Sequence, residues 1–413
     1  MGCHLRVLSL LLAVGSLCGV SREVVAQPSY QVHRSLTFGR AALSTYARGG
    51  AYDTKRNLYV AGGSHTSNIE AVCPRVFHFG PRGGSDSFVM KFNQRGALKW
   101  CLIIGGSGYD RLYGIDVRTM PAANGRPAYN YILVHGRAGP QMPTTVSAVA
   151  PEFSGGVGPG ASGYGAQDGY VATFIDRDIA DTNPALSPQF LAGTYLGGNN
   201  PQNTDNTPTR GARILSLNGV LHVAAFTGTL GNPVILPAGL QAITTNGTHD
   251  SVGSGTEDVL VTLLRLDTLA GVWATFVGGS GNESSSGSIA ILPPDSRHPR
   301  ERPVVLTATT SNDIAFPQVT APLQAVRRGV SDLLIAVLDP MTGQVTNATL
   351  LGRGNAEFVE THNVTTAKER FSGEGSRIIV AAQTLSNDFQ FTPTPWQNGH
   401  GGNGGAANYQ GDC

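Results

Sequence analysis

Apolar residues occur along this chain in short runs, and the runs recur. A Gly-x-x-Asp sequence followed at once by an apolar-rich run stands at 83–90, 165–172, 255–262 and 329–336, with Asp86, Asp168, Asp258 and Asp332 as its aspartates. The copies lie about eighty residues apart, a period that belongs to repeat architectures. Beyond each run comes a second apolar cluster that ends on glycine: 100–104 before Gly105-Gly106, 194–196 before Gly197-Gly198, 273–277 before Gly278-Gly279, and 348–351 before Gly352. Further clusters, such as 112–117 with 131–134 and 212–217 with 220–226, complete each unit. Gly, Asn, Asp and Pro punctuate them all, and no amphipathic stretch of helical period exceeds two or three turns. Short strands joined by turns, about four to a unit, predict an all-β chain: a β-propeller of about five four-stranded blades with long loop insertions and an incomplete last blade.

The N-terminal pattern is different. Arg6 precedes an apolar run at 7–14 broken only by Ser9, and the small residue Ala26 closes a Val-Val-Ala triplet. That is the layout of a secretory signal peptide cleaved after Ala26. Ser21, Arg22 and Glu23 interrupt the segment before it reaches the ~20 apolar residues of a membrane span. The expected organisation is therefore a signal peptide at 1–26 and one propeller domain at 27–413, secreted or at the cell surface, with no transmembrane segment.

Several stretches resemble a known family. Residues 51–63 (AYDTKRNLYVAGG), the Gly-x-x-Asp-x-Phe-Val of 83–89 and the Thr-Tyr-Leu-Gly-Gly of 194–198 look like the SBBP-type β-propeller repeats of bacterial secreted and cell-surface proteins. Ser311-Asn312-Asp313 with Phe316-Pro317, and Ser386-Asn387-Asp388-Phe389, match that family's polar strand-to-strand loop. The third unit departs from the pattern by lacking an Asn-Val-Tyr-Val strand. The resemblance implies propeller architecture and a place on or outside the cell, often in adhesion-type proteins, and it implies no catalytic residues.

Charge narrows the partners. Lys and Arg number 29 against 28 Asp and Glu, and no basic run exists, so there is no electrostatic footprint for nucleic acid or an anionic membrane. Past the signal peptide the cysteines are Cys73, Cys101 and Cys413, without the ligand spacing of a structural zinc site. A Cys73–Cys101 disulfide suits an exported chain, but spacing alone does not establish the geometry it requires. The glycine-rich stretches at 158–163 and 399–404 match a dinucleotide fingerprint in letters only, since neither joins a strand to a helix, and no cofactor is expected. A nucleophile elbow, a zincin helix and a phosphate loop are all missing from the sequence, and His65, His78, His135, His222 and His249 are scattered. Asn246, Asn282, Asn347 and Asn363 open glycosylation sequons.

The repeating Asp86, Asp168, Asp258 and Asp332 have two readings. A turn aspartate that accepts local backbone N–H bonds is a structural clamp, and identical use in every unit favours this reading. Carboxylates converging on a channel would instead ligate a cation, and Ca²⁺ would want six to eight oxygens. No catalytic residue and no metal ligand is assigned. The function expected is a binding or structural module of adhesion type for an extracellular protein or glycan. The alternative is a propeller enzyme, a glycan hydrolase or lyase, with its site in the central channel. The insertions at 138–167 and 233–255 are expected to be irregular and largely exposed. Ring closure is expected from pairing 33–38 with 377–383, in a polypeptide that is itself a shortened version of a longer one.

Overall fold

The computed structural model describes residues 45–388 except 156–164, 178–186, 199–207, 231–233, 245–248, 256, 294–303, 315, 317–318, 320–321, 360–363 and 369–375. The expected signal peptide, the 33–38 strand, the glycine-rich stretches at 158–163 and 399–404, and Cys413 lie outside the described residues.

The described chain is all-β and runs through successive antiparallel meanders. The first sheet contains β1 (Thr45–Tyr52), β2 (Leu58–Ser64), β3 (Val76–Phe79), β4 (Asp86–Phe92) and β5 (Leu98–Ile104), in the order β1-β2-β4-β5-β3. The second contains β6 (Arg111–Met120), β7 (Tyr129–Ala138), β8 (Asp168–Asp176) and β9 (Gln189–Leu196). β10 (Thr209–Leu217), β11 (Val220–Leu230), β12 (Glu257–Arg265) and β13 (Gly271–Val277) form the third. The fourth is β14 (Glu283–Ile291), β15 (Val304–Thr310), β16 (Asp332–Leu338) and β17 (Val345–Leu351). Two short pairs follow, β18 (Glu357–Phe358) with β21 (Gln383–Thr384), and β19 (Val364–Lys368) with β20 (Ser376–Val380).

The arrangement is propeller-like. The first strand of each sheet lies against the first strand of the next: β1 against β6, β6 against β10, β10 against β14, and β14 against β19. Neighbouring sheets also explain the apolar runs. A strand covered on both faces reads as a near-continuous hydrophobic run, and every residue of β4 and β8 is buried. Where one inner strand meets another the backbones come close. A Cβ at Gly49 would stand 2.7 Å from the Gly114 Cα, so only glycine fits there.

The insertions do more than decorate the sheets. In the second sheet Tyr195 N donates to the Ala150 carbonyl at 3.0 Å; in the third Phe276 N donates to Asp250 at 3.0 Å; in the fourth Leu350 N donates to Gln324 at 3.0 Å. In the first sheet Cys101 N donates to the Arg75 carbonyl at 2.8 Å and β3 adds itself in parallel to β5. Each long connection thus returns to cover the outermost strand of its own sheet, an edge that would otherwise template aggregation. The threonine of the Thr-Tyr-Leu-Gly pattern takes part: the Thr194, Thr275 and Thr349 hydroxyls accept from the backbone N–H of Ala150, Asp250 and Gln324 at 2.9 to 3.1 Å.

This overturns the expectation that the insertions are exposed. Within 138–167, Met142, Ala148, Val149 and Ala150 are buried in the core. Within 233–255, a six-residue helix, α2 (Ala238–Ile243), follows α1 (Thr66–Glu70) in chain order and buries Leu240. The two insertions meet, because a Cβ on Gly239 would press on the Val149 carbonyl and one on Gly271 would touch both Ile243 and Val149. Covering an edge demands only a few apolar anchors, too few to leave a hydrophobic period in the sequence. Cys73 and Cys101 form a disulfide with Cα atoms 6.0 Å apart, tying the segment after α1 to β5.

Candidate functional site

Each of the four repeating aspartates stands at the head of the third strand of its sheet, and all are buried. Asp86 accepts from Gly83 N at 2.9 Å. Asp168 accepts from Gly169 N at 2.8 Å and from the Ser154 hydroxyl at 2.9 Å. Asp258 accepts from Ser254 N at 2.7 Å and Gly255 N at 3.2 Å. Asp332 accepts from Arg328 N at 3.1 Å, Gly329 N at 3.3 Å and the Gln324 amide. Among the described residues, no three His, Cys, Asp or Glu side chains gather as a metal-ligand set.

Sequence reasoning missed a second acid. Asp110, Glu283 and Glu357 stand at the start of the first strand of the second, fourth and fifth sheets, and Asp110 and Glu283 lie beside the clamp aspartate of the preceding sheet. Each accepts from the backbone N–H four residues earlier: Gly106 to Asp110 at 2.7 Å, Gly279 to Glu283 at 2.8 Å, and Arg353 to Glu357 at 3.1 Å. Each also grips the far end of the second strand in its own sheet. Asp110 accepts from Gly139 N at 2.7 Å, Glu283 from the Thr310 hydroxyl at 2.7 Å, and Glu357 from the Thr384 and Ser386 hydroxyls at 2.8 and 2.6 Å. The glycine between the two acids cannot carry a side chain, since a Cβ on Gly278 would lie 2.2 Å from Asp258 Oδ1 and 2.6 Å from Glu283 Oε2. These acids staple one sheet to the next. The third sheet has Thr209 in the equivalent place, bonded to Thr227 at 3.0 Å.

Two buried carboxyls side by side resist double ionisation. Burial pushes the Asp110 carboxyl up to about 7, opposed by its two backbone donors and assisted by the charge of Asp86. Burial likewise raises Asp258 and Glu283. A carboxyl with a folded pKa of about 7 against an unfolded value near 3.8 holds its proton more tightly in the native state. Its contribution is full below the unfolded pKa and is lost as pH climbs through the folded one. The melting temperature should therefore fall between about pH 4 and about pH 7, and Asp110→Asn should flatten that fall. Rising stability over this window in calorimetry would contradict the protonated staple.

The other concentration of unusual chemistry lies on the inner strands. In β1 the register slips between Ala47 and Gly49, in β6 between Leu112 and Gly114, and in β10 between Thr209 and Gly211. The extra residues are Arg48, Tyr113 and Arg210. A bulge at a strand's start re-aims the extra side chain, and these three meet although they come from three sheets. The Arg48 guanidinium lies 5.6 Å and that of Arg210 4.8 Å from the Tyr113 ring centroid. Arg111 from β6 and Arg137 from β7 complete the group at 5.1 and 6.0 Å. Tyr46 and Tyr109 flank it, with Arg111 5.3 Å over the first and Arg137 5.3 Å over the second.

Tyr113 and its arginines are positioned by the sheets rather than by flexible loops. Arg111 Nη2 donates to the Tyr113 hydroxyl at 2.9 Å. The His135 ring, opposite Gly114 on β7, donates from Nδ1 to the Thr209 carbonyl at 3.1 Å, which fixes the third sheet beside the second. Burial pushes the Tyr113 phenol up, but the charges of Arg210, Arg137 and Arg111 outweigh burial and hold it below the ordinary 10. Arg111, Tyr113 and Arg137 are buried; Arg48 is exposed, while Tyr46, Tyr109 and Arg210 are half-buried and open the cluster to solvent. A separate cavity of about 350 Å³ beside β17 is lined by Ile314, Phe316, Val319, Gln324, Ala348 and Leu350 among others, and none of its described lining residues is charged.

The chain matches no protein-family model and no curated protein. Among solved structures, the alpha-L-arabinofuranosidase from Lactobacillus brevis is similar at 9% identity and a TM-score of 0.30, over 84% of this chain and 87% of that one. No helix of the described residues is long and apolar enough to cross a membrane.

Proposed function

We propose that the protein is an exported five-bladed β-propeller of the SBBP-like kind, serving as an extracellular binding module whose ligand sits where the inner strands of the first three blades meet. The arginine and tyrosine cluster carries this reading. Three equivalent bulges deliver Arg48, Tyr113 and Arg210 to one place, and a rigid scaffold that repeats such a device is organised for recognition. The four meanders with stacked inner strands, followed by two short strand pairs, support a ring of five blades. The Cys73–Cys101 disulfide supports an oxidising compartment, because such bonds persist mainly in exported proteins.

The second reading is the propeller enzyme, a glycan lyase or hydrolase. A tyrosine whose phenol is held below its ordinary value among cations favours it, since perturbed groups cluster at catalytic sites. A glycan array and pull-down with the mature protein separate the two. Saturable binding without turnover is the expected result. Turnover of a bound glycan that is lost in Tyr113→Phe would replace the binding module with the enzyme.

A further inference from the structure

We propose that the cluster of Arg48, Arg111, Arg137 and Arg210 around Tyr113 binds a single oxyanion group, a carboxylate or a sulfate, carried on a saccharide. This deepens the binding-module reading and rests on it.

The first argument is charge. Four guanidiniums lie within 6.0 Å of one ring centroid. At an effective dielectric near 20 a unit charge about 7 Å away contributes about 2 kcal/mol, so an anion that visits the cluster is attracted by several cations at once. Arg210 brings a buried Nε that has no hydrogen-bond partner among the described residues. The second argument is shape. Guanidinium forks match carboxylate and sulfate oxygens in pairs, and the chemistry shared by those two groups is what the site recognises.

Scale selects the bearer. The whole chain is close to neutral, with 29 basic and 28 acidic side chains, so the positive charge is local and compact rather than a track. A polyanion such as nucleic acid needs an extended basic face. One compact cluster suits one anionic group at the end or on a branch of a longer molecule. The half-buried rings of Tyr46 and Tyr109 on its rim favour a saccharide over an acidic peptide, because an amphipathic tyrosine offers both a flat apolar face and a hydroxyl to a sugar.

Isothermal titration of the mature protein tests this with four probes: an oligogalacturonide, a sulfated disaccharide, neutral oligosaccharides of matching length, and a glutamate oligomer. The acidic saccharides should bind at least about tenfold more tightly than the neutral ones. Preference for the galacturonide over the sulfated sugar, or the reverse, identifies the oxyanion. Arg48→Gln and Arg210→Gln, at an exposed and a half-buried position, should each weaken that binding by about tenfold without lowering the melting temperature. A bound oxyanion should also shift the Tyr113 phenol titration upward, which binding elsewhere on the molecule would not do. Equal affinity for neutral and acidic sugars, stronger binding of the glutamate oligomer, or full affinity in both arginine variants would overturn the proposal. If acidic sugars fail while the pull-down still recovers a saturable ligand, the site assignment falls and the binding-module reading stands; if both fail, the module reading falls as well.

Discussion

Lys91→Met should destabilise the protein by about 3–5 kcal/mol, read as a lowered midpoint in urea denaturation. Lys91 on β4 donates to Asp176 on β8 at 2.7 Å, and both side chains are almost fully buried. The pair joins the first sheet to the second. Asp176 also accepts from the Tyr59 hydroxyl at 2.8 Å and the Ser187 hydroxyl at 2.6 Å, and the Lys91 ammonium lies 5.4 Å from the Tyr59 ring centroid. Removing the lysine takes a charged donor from a buried carboxylate, and the desolvation that the cation had offset is then felt. The double variant Lys91→Met with Asp176→Asn keeps the Tyr59 and Ser187 contacts without the charge. It should cost less than Lys91→Met alone, a coupling that a double-mutant cycle reads directly. A loss below about 1 kcal/mol in the single variant would mean that water reaches the pair.

The disulfide is the other large contribution. Cys73 and Cys101 are 28 residues apart, and closing a loop of that size removes denatured-state entropy equivalent to about 3.5 kcal/mol. Cys73 is half-buried and Cys101 fully buried, so Cys73→Ser is the milder replacement. It should lower stability by about 3–4 kcal/mol, and the wild type under reductant should match it. Equal stability of oxidised and reduced wild type would exclude a structural role for the bond.

The sequence showed the strands more clearly than it showed the site. The apolar runs behind Asp86, Asp168, Asp258 and Asp332 are visible because β4, β8, β12 and β16 are covered on both faces, a requirement that writes itself into consecutive residues. The staple acids were present in the sequence too, as Asp110, Glu283 and Glu357 after each glycine turn. Their meaning depends on where one sheet ends and the next begins, and the similarity between units does not mark that boundary. Arg48, Tyr113 and Arg210 were harder still. A bulge is a property of how two strands register, so nothing in either strand alone announces it, although the glycine that follows each of the three is a trace of the close approach between inner strands. The insertions at 138–167 and 233–255 read as exposed because their anchors, Val149 and Leu240 among them, are few and lie in Gly- and Pro-rich sequence.

The convergence of three inner strands on Tyr113 is most directly tested by titrating that phenol, taken as the ultraviolet difference between wild type and Tyr113→Phe. With Arg210, Arg137 and Arg111 in place it should ionise below the ordinary 10, and Arg210→Gln should move it upward. A buried tyrosine without gathered cations ionises above that value. Finding Tyr113 there, unmoved by Arg210→Gln, would show that the arginines do not meet around it.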